Sequence, residues 1–306
     1  MFHTQYLKTA FAGLAVAATL VALPATAETQ LLNWQLDLPG AQPVINGITD
    51  LSIDGHSYIN TNLGGGNPGP NFTFTDTGIF NFSGSLFGPG NPQQITAHYY
   101  NGTGNGDLAS GQLTFTNTGR LDIYYYDGVD DNNAGDSAGV DYAWGTSTGA
   151  GAPLRGANSG ILIASFAQLA TPFGESAGSV NPDATPSSNG PLTLEFEATY
   201  LATGVWLDSA GNALPLGTTL GFVTTNASVN NGNCGPGTPP GCVPNADTQD
   251  IVSALGGNSP NAQPGEFLVR NGGQFKLAQA DVPEPGTLAL LGLGLLGLTF
   301  TRRARS

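Results

Sequence analysis

Apolar and polar residues take turns along most of this chain. Asn71-Phe72-Thr73-Phe74-Thr75, Phe80-Asn81-Phe82, Ile95-Thr96-Ala97-His98-Tyr99 and Leu113-Thr114-Phe115-Thr116 alternate in this way. So do Leu121-Asp122-Ile123-Tyr124-Tyr125, Leu192-Thr193-Leu194-Glu195-Phe196-Glu197-Ala198 and Phe275-Lys276-Leu277. Successive side chains of a strand point to opposite faces, so a period of two buries one face and wets the other. Each segment therefore predicts a half-buried strand. Ile161-Leu162-Ile163-Ala164-Ser165-Phe166 is apolar on both faces and predicts a strand buried between layers.

Clusters of turn formers separate these runs. Asn62-Leu63-Gly64-Gly65-Gly66-Asn67-Pro68-Gly69-Pro70, Asn101-Gly102-Thr103-Gly104-Asn105-Gly106 and Asn271-Gly272-Gly273 hold Asn-Gly and Gly-Gly pairs, which supply the positive φ of hairpin turns. Asp54-Gly55-His56-Ser57 reads as another turn. The 45 Gly and 21 Pro, with only 10% charged residues, disfavour long helices, and 40% hydrophobic residues argue for a folded body. The expectation is an all-β body of antiparallel sheets packed as a β-sandwich or jelly roll. No fixed-period repeat points to a solenoid. Residues 174–190 read as a long loop or a subdomain boundary, and residues 226–265 as an extended excursion with a helical turn around Asp247 to Leu255. One domain or two stays open.

The two ends have a different character. Lys8 precedes an uncharged run from Thr9 to Leu23, and Ala25-Thr26-Ala27 supplies small residues at a cleavage position. Residues 1–27 thus read as a secretory signal peptide, with an uncleaved signal anchor as the alternative. Near the other end, Val282-Pro283-Glu284-Pro285-Gly286 precedes a leucine- and glycine-rich run from Thr287 to Phe300, then Arg302-Arg303-Ala304-Arg305. At ~1.5 Å per residue such a run reaches about 21 Å against a ~30 Å hydrocarbon core, so flanking residues must help it span. The arginines place the C-terminus in the cytoplasm and the body outside. A permanent anchor and a buried core helix are the rival readings.

These residues resemble the PEP-CTERM sorting signal of Gram-negative bacteria that make exopolysaccharide: the Pro283-Glu284-Pro285 motif, the helix and the basic tail of Arg302, Arg303 and Arg305 come in the same order. The resemblance covers residues 282–306 and implies an exosortase, a membrane cysteine transpeptidase, that removes the helix and passes the body to the cell surface or matrix. Contact with the membrane would then be transient. The body, residues 28–281, is also similar over shorter segments to flocculation-associated PEP-CTERM proteins. Those segments are Leu121 to Asp136, Gly160 to Phe166, and Leu192 to Asp208, ending in Thr203-Gly204-Val205-Trp206-Leu207-Asp208. That family offers no catalytic residues to carry over.

Charge and cysteine usage fit export. The net charge is -14, and half of the basic residues (Lys8, Arg302, Arg303, Arg305) lie in the two ends. A body so acidic excludes nucleic acid and anionic lipid as partners. Cys234 and Cys242, in Cys-Gly-Pro-Gly-Thr-Pro-Pro-Gly-Cys, predict a local disulfide in an exported chain.

Catalytic patterns are scarce. His56 and His98 are the body's histidines and read as a turn residue and a strand residue. Glu195 and Glu197 share one face of one strand, which cannot place two carboxylates across a sugar bond. No phosphate-binding loop is present. The Asp-rich stretch Asp127, Asp130, Asp131, Asn133 and Asp136 offers hard oxygen ligands for calcium, with a solvated loop as the alternative. Tyr124 to Tyr126, Tyr142, Trp144 and Trp206 offer aromatic faces for sugar rings, or core. The expectation is a non-enzymatic exported surface or matrix protein that contributes to cell aggregation, flocculation or biofilm by associating with exopolysaccharide. The alternatives are a lectin-like carbohydrate-binding module and an exported polysaccharide hydrolase.

Overall fold

The computed structural model describes residues 28–40, 43–62, 71–82, 86–87, 93–107, 112–127, 154, 157–158, 160–169, 178–179, 192–224, 228–230, 255 and 266–280. All of them belong to one compact unit, Glu28–Ala280. The predicted signal peptide, the Cys234–Cys242 loop and the sorting signal lie outside the described residues, as does the expected helical turn except Leu255, which is a buried turn residue.

Among the described residues fifteen strands follow one another: β1 (Glu28–Gln30), β2 (Trp34–Leu36), β3 (Ile45–Ile48), β4 (Leu51–Asn62), β5 (Asn71–Asn81), β6 (Gln94–Asp107), β7 (Gln112–Phe115) and β8 (Arg120–Tyr126). The rest are β9 (Ile161–Gln168), β10 (Gly178–Ser179), β11 (Leu192–Leu201), β12 (Trp206–Leu207), β13 (Thr218–Thr224), β14 (Ser228–Asn230) and β15 (Glu266–Ala280). The all-β expectation holds, but the packing differs from it. Strands β4, β5, β6, β8, β9, β11, β13 and β15 pair antiparallel in that order, and β15 returns to β4, from Glu266↔Asn60 to Phe275↔Leu51. The body is an up-and-down barrel of eight strands rather than a sandwich or jelly roll. Alternation says only that each strand has one wet face, which sandwiches and barrels share. The pairing of the first barrel strand with the last makes the difference, and it removes the open edges of a sheet.

Two long strands shape the wall. β6 has 14 residues and β15 has 15. The first half of β6 pairs with β8 (Gln94↔Tyr126 to Tyr100↔Arg120), while its last residues pair with β7 (Gly104↔Phe115 to Asp107↔Gln112). β15 likewise pairs with β14 near its start and with β13 toward its end. The partner change on β6 coincides with a bulge, where Tyr100 and Asn101 together face Thr77 and Asn101 takes a φ of 57°. An asparagine tolerates this left-handed backbone better than most residues.

The inward faces build one core. Phe72, Phe74, Phe80 and Phe82 of β5 and its end join Ile95, Ala97 and Tyr99 of β6, Leu121, Ile123 and Tyr125 of β8, Phe166 of β9 and Phe196 of β11. A three-stranded sheet, β12-β2-β3, packs against the same core. Its Trp34 and Trp206 stack with ring centroids 5.7 Å apart, Trp34 meets Phe275 at 6.4 Å, and Trp206 Nε1 donates to the Ile163 carbonyl at 2.8 Å. The outward positions are largely Thr, Asn, Ser, Asp and Glu. Apolar inside and polar outside is the reverse of a barrel whose outer face meets lipid.

Three predicted turns are strand interior. Asp54-Gly55-His56-Ser57 lies in β4, Asn101 to Gly106 in β6 and Asn271 to Gly273 in β15. At the first two sites the glycines make room for rings: a Cβ on Gly55 would lie 2.6 Å from Phe80, one on Gly104 2.3 Å from Phe74, and one on Gly106 2.0 Å from Phe72. Ile161 to Phe166 is a barrel strand, not one between two layers. Ile161 is 50% exposed, and a bulge between Ile123 and Tyr124 in the β8–β9 ladder brings both Ile163 and Ala164 into the core.

Candidate functional site

Among the described residues, the candidates read from the sequence do not converge. Glu195 is half-buried and Glu197 exposed, both on the outer face of β11. Tyr125 and Trp206 are core, while Tyr124 and Tyr126 point outward. Asp127 is exposed at the end of β8. Asp130, Asp131, Asn133, Asp136, Tyr142 and Trp144 lie outside the described residues, as do Ala25, Ala27, Cys234, Cys242, Val282 to Pro285 and the basic tail. Among the described residues no three His, Cys, Asp or Glu gather in a way that would hold a metal ion. His56 is fully buried on the face of β4 that carries Tyr58, which packs with Ile79, Ala157 and Leu255 in a small cluster apart from the barrel core.

Strands β4, β5 and β6 instead create a groove of about 500 Å³ on the outer wall. Asn60 of β4, Thr73 and Thr75 of β5, Thr103 and Asn105 of β6, and Thr116 just after β7 line it, over the backbone of Phe74 and Gly104. Register explains the grouping. Asn60 pairs with Thr75, Thr75 with Thr103 and Thr73 with Asn105, and the Thr116 N–H donates to the Thr103 carbonyl at 2.8 Å. Neighbouring strands lie ~4.8 Å apart and same-face residues ~7 Å apart, so hydroxyls and amides stand on a regular grid. No lining side chain is charged.

One edge of this grid is fixed by its own bonds. The Thr103, Thr116 and Thr118 hydroxyls lie within hydrogen-bond distance of one another; Thr118 Oγ1 donates to the Asn101 carbonyl at 2.8 Å, and the Thr103 proton is left for one of its two neighbouring hydroxyls. Thr116 Oγ1 donates to the Thr103 carbonyl at 3.1 Å. A hydroxyl has one proton and two lone pairs. With the protons engaged inside the cluster, the groove meets the acceptor side of these hydroxyls.

Earlier on β6 the outer face changes character. His98 and Tyr100 stack with centroids 4.9 Å apart, and Tyr100 Oη donates to Asp122 Oδ2 at 3.1 Å. Burial lowers the His98 pKa to about 4, only partly opposed by the nearby Asp122 carboxylate. A base this weak stays neutral and takes up almost no proton near pH 7. Burial first, then the Asp122 charge, pushes Tyr124 up to about 12.

Among the described residues, one carboxylate faces inward with a strongly raised pKa. Asp76 of β5 is 4% exposed, and burial pushes its pKa up to about 7 against a hydrogen bond from Ser57. Among the described residues its Oδ1 has no hydrogen-bond partner. Nearby on the inner wall, Tyr99 Oη donates to Gln168 Oε1 at 2.9 Å.

Sequence reasoning missed the groove because Thr103 and Asn105 sit in a stretch that looks like a turn. The available signal was the wet face of β5 and β6, where Thr and Asn recur without Lys or Glu.

Comparison with known proteins bears on the other end of the chain. Residues 281–305 match the PEP-CTERM protein-sorting motif. The chain carries a PEP-CTERM sorting motif. The motif implies export to the cell envelope or surface and processing by an exosortase. No curated protein and no solved structure matches the chain.

Proposed function

We propose that this PEP-CTERM chain is a non-enzymatic surface or matrix protein that promotes cell aggregation, in flocs or biofilm, by associating with exopolysaccharide. The observation that carries the reading is the sorting motif at residues 281–305, which implies export of the body to the cell envelope or surface, the side on which such polymers would be met. An uncharged, hydroxyl- and amide-lined groove on an otherwise acidic protein adds support. The weak basicity of His98 and the placement of Glu195 and Glu197 two apart on one strand give a hydrolase reading no support.

The test deletes the gene in its host and complements it with the intact chain or with a Pro283→Ala/Pro285→Ala variant. Settling and aggregation should fall on deletion and return only with the intact chain, while the variant accumulates unprocessed in the membrane. Aggregation that is unchanged or higher after deletion sinks the reading. The groove favours a second reading, a carbohydrate-binding module that coats polymer without joining cells; it predicts polymer binding with unchanged settling.

A further inference from the structure

We infer that the groove formed by β4, β5, β6 and the segment after β7 is a binding site for a neutral polysaccharide, and that it discriminates against acidic ones. This rests on the matrix reading above and names its ligand class and its location.

Three observations carry it. The first is charge. Asn60, Thr73, Thr75, Thr103, Asn105 and Thr116 hold no ionic group, although the protein has a net charge of -14. Nothing in the groove offsets the desolvation of a carboxylate or sulfate, and the field of the protein repels both. A neutral chain meets neither cost.

The second is hydrogen-bonding capacity. The Thr103–Thr116–Thr118 cluster engages its protons within itself and with the Thr103 and Asn101 carbonyls, so the Thr103 and Thr116 hydroxyls that line the groove serve a ligand as acceptors. Asn60 and Asn105 add amides with both donors and acceptors, exposed and making no hydrogen bond to the described residues. Sugar hydroxyls donate and accept, so a glycan satisfies both kinds of group. An apolar peptide would leave them buried without partners.

The third is rigidity. The groove floor is the β5–β6 ladder, and the rings of Phe72 and Phe74 beneath it fill the space that side chains at Gly104 and Gly106 would need. Pre-organised polar groups lose little freedom on binding, which suits a ligand recognised by many weak contacts.

The test is affinity electrophoresis of the full-length chain in detergent, in native gels containing dextran, hydroxyethylcellulose or galactomannan as neutral polymers, and alginate as the acidic one. The wild type should be retarded by at least one neutral polymer and not by alginate. The exposed double variant Asn60→Ala/Asn105→Ala should lose at least about tenfold in apparent affinity. Thr75→Glu, which puts a charge in the groove, should lose a similar amount, and both should keep the wild-type unfolding midpoint. Retardation by alginate alone, by no neutral polymer, or equally by wild type and double variant overturns the inference.

The two proposals fail separately. A deletion host that settles normally while dextran still retards the wild type alone sinks aggregation and leaves the groove. A deletion host that fails to settle, with no retardation by any neutral polymer, does the opposite.

Discussion

Several glycines of the barrel wall sit beneath aromatic rings. A Cβ on Gly55 would lie 2.2 Å from the Ile79 carbonyl oxygen, and one on Gly104 2.4 Å from that of Thr114 as well as against Phe74. Backbone cannot swing aside as a side chain can, so Gly55→Ala and Gly104→Ala should each cost about 1–3 kcal/mol. Gly221→Ala meets nothing within 4 Å and should be neutral or stabilise by up to about 1 kcal/mol. Urea midpoints of the three variants check this, and equal costs at all three positions would refute it. Asp76 makes a different prediction, in pH. Its folded pKa is raised from 3.8 to about 7, so between those values the native state holds a proton that the unfolded state has released. Stability from this group therefore falls as pH rises through that window, by up to about 4 kcal/mol, and levels off above it. His98 has the opposite slope: with its pKa lowered to about 4, it costs stability as pH falls below 6.5. Asp76→Asn should abolish the loss toward pH 7 and leave the acid limb intact, as thermal unfolding across pH would show. An unchanged profile would mean that water or a counter-charge already stabilises the ionised form.

At the level of elements, local pattern carried far in some places and stopped short in others. Phe72 and Phe74 alternate with threonines, and β5 forms where that alternation predicts it. Gly102 to Gly106 looked like a turn because glycine's freedom is visible locally. The rings that occupy the missing side-chain space come from another strand and are not. Barrel closure depends on β4 meeting β15, a pairing between distant segments with no local signature. The groove inherits this limit, since its sides come from β4 to β7. The small β12-β2-β3 sheet was hidden for the same reason: Trp34 and Trp206 are far apart in sequence and stack only in the fold. Their indoles also differ in a way that can be measured. Trp206 Nε1 has an acceptor in the Ile163 carbonyl, whereas Trp34 Nε1 is buried without one among the described residues. Trp206→Phe loses a hydrogen bond as well as volume and should cost about 1–2 kcal/mol more than Trp34→Phe, which removes an unsatisfied donor. Chemical denaturation followed by the fluorescence of the remaining tryptophans ranks the two. The reverse order would place the energetic weight of this sheet on stacking alone.

For the whole molecule, the proposed role among polymers has to be reconciled with charge and polarity. Removing both ends takes away Lys8, Arg302, Arg303 and Arg305 and leaves Arg120, Arg155, Arg270 and Lys276 against nearly all of the 22 acidic residues. Copies of such a body repel one another, which favours solubility and works against self-association. On the proposed matrix role, contact would then run through uncharged groups, through cations shared with acidic polymer, or through both. These routes respond differently to the solvent. Hydrogen bonds between neutral groups change little as salt rises from about 0.05 to about 0.5 M, while charge contacts are screened over that range. If the groove carries adhesion, retardation by neutral polymer should persist across that salt range, and EDTA should not weaken it. If the Asp127–Asp136 segment carries it through calcium, EDTA should abolish binding and calcium should restore it, because hard carboxylate ligands serve adhesion there only with the ion in place. A severalfold loss with salt alone, and no response to EDTA, would point away from both routes and toward direct ion pairing by the few remaining cations. The acidic balance of the body makes that the least favourable arrangement, so salt-resistant, EDTA-resistant binding is the expected result.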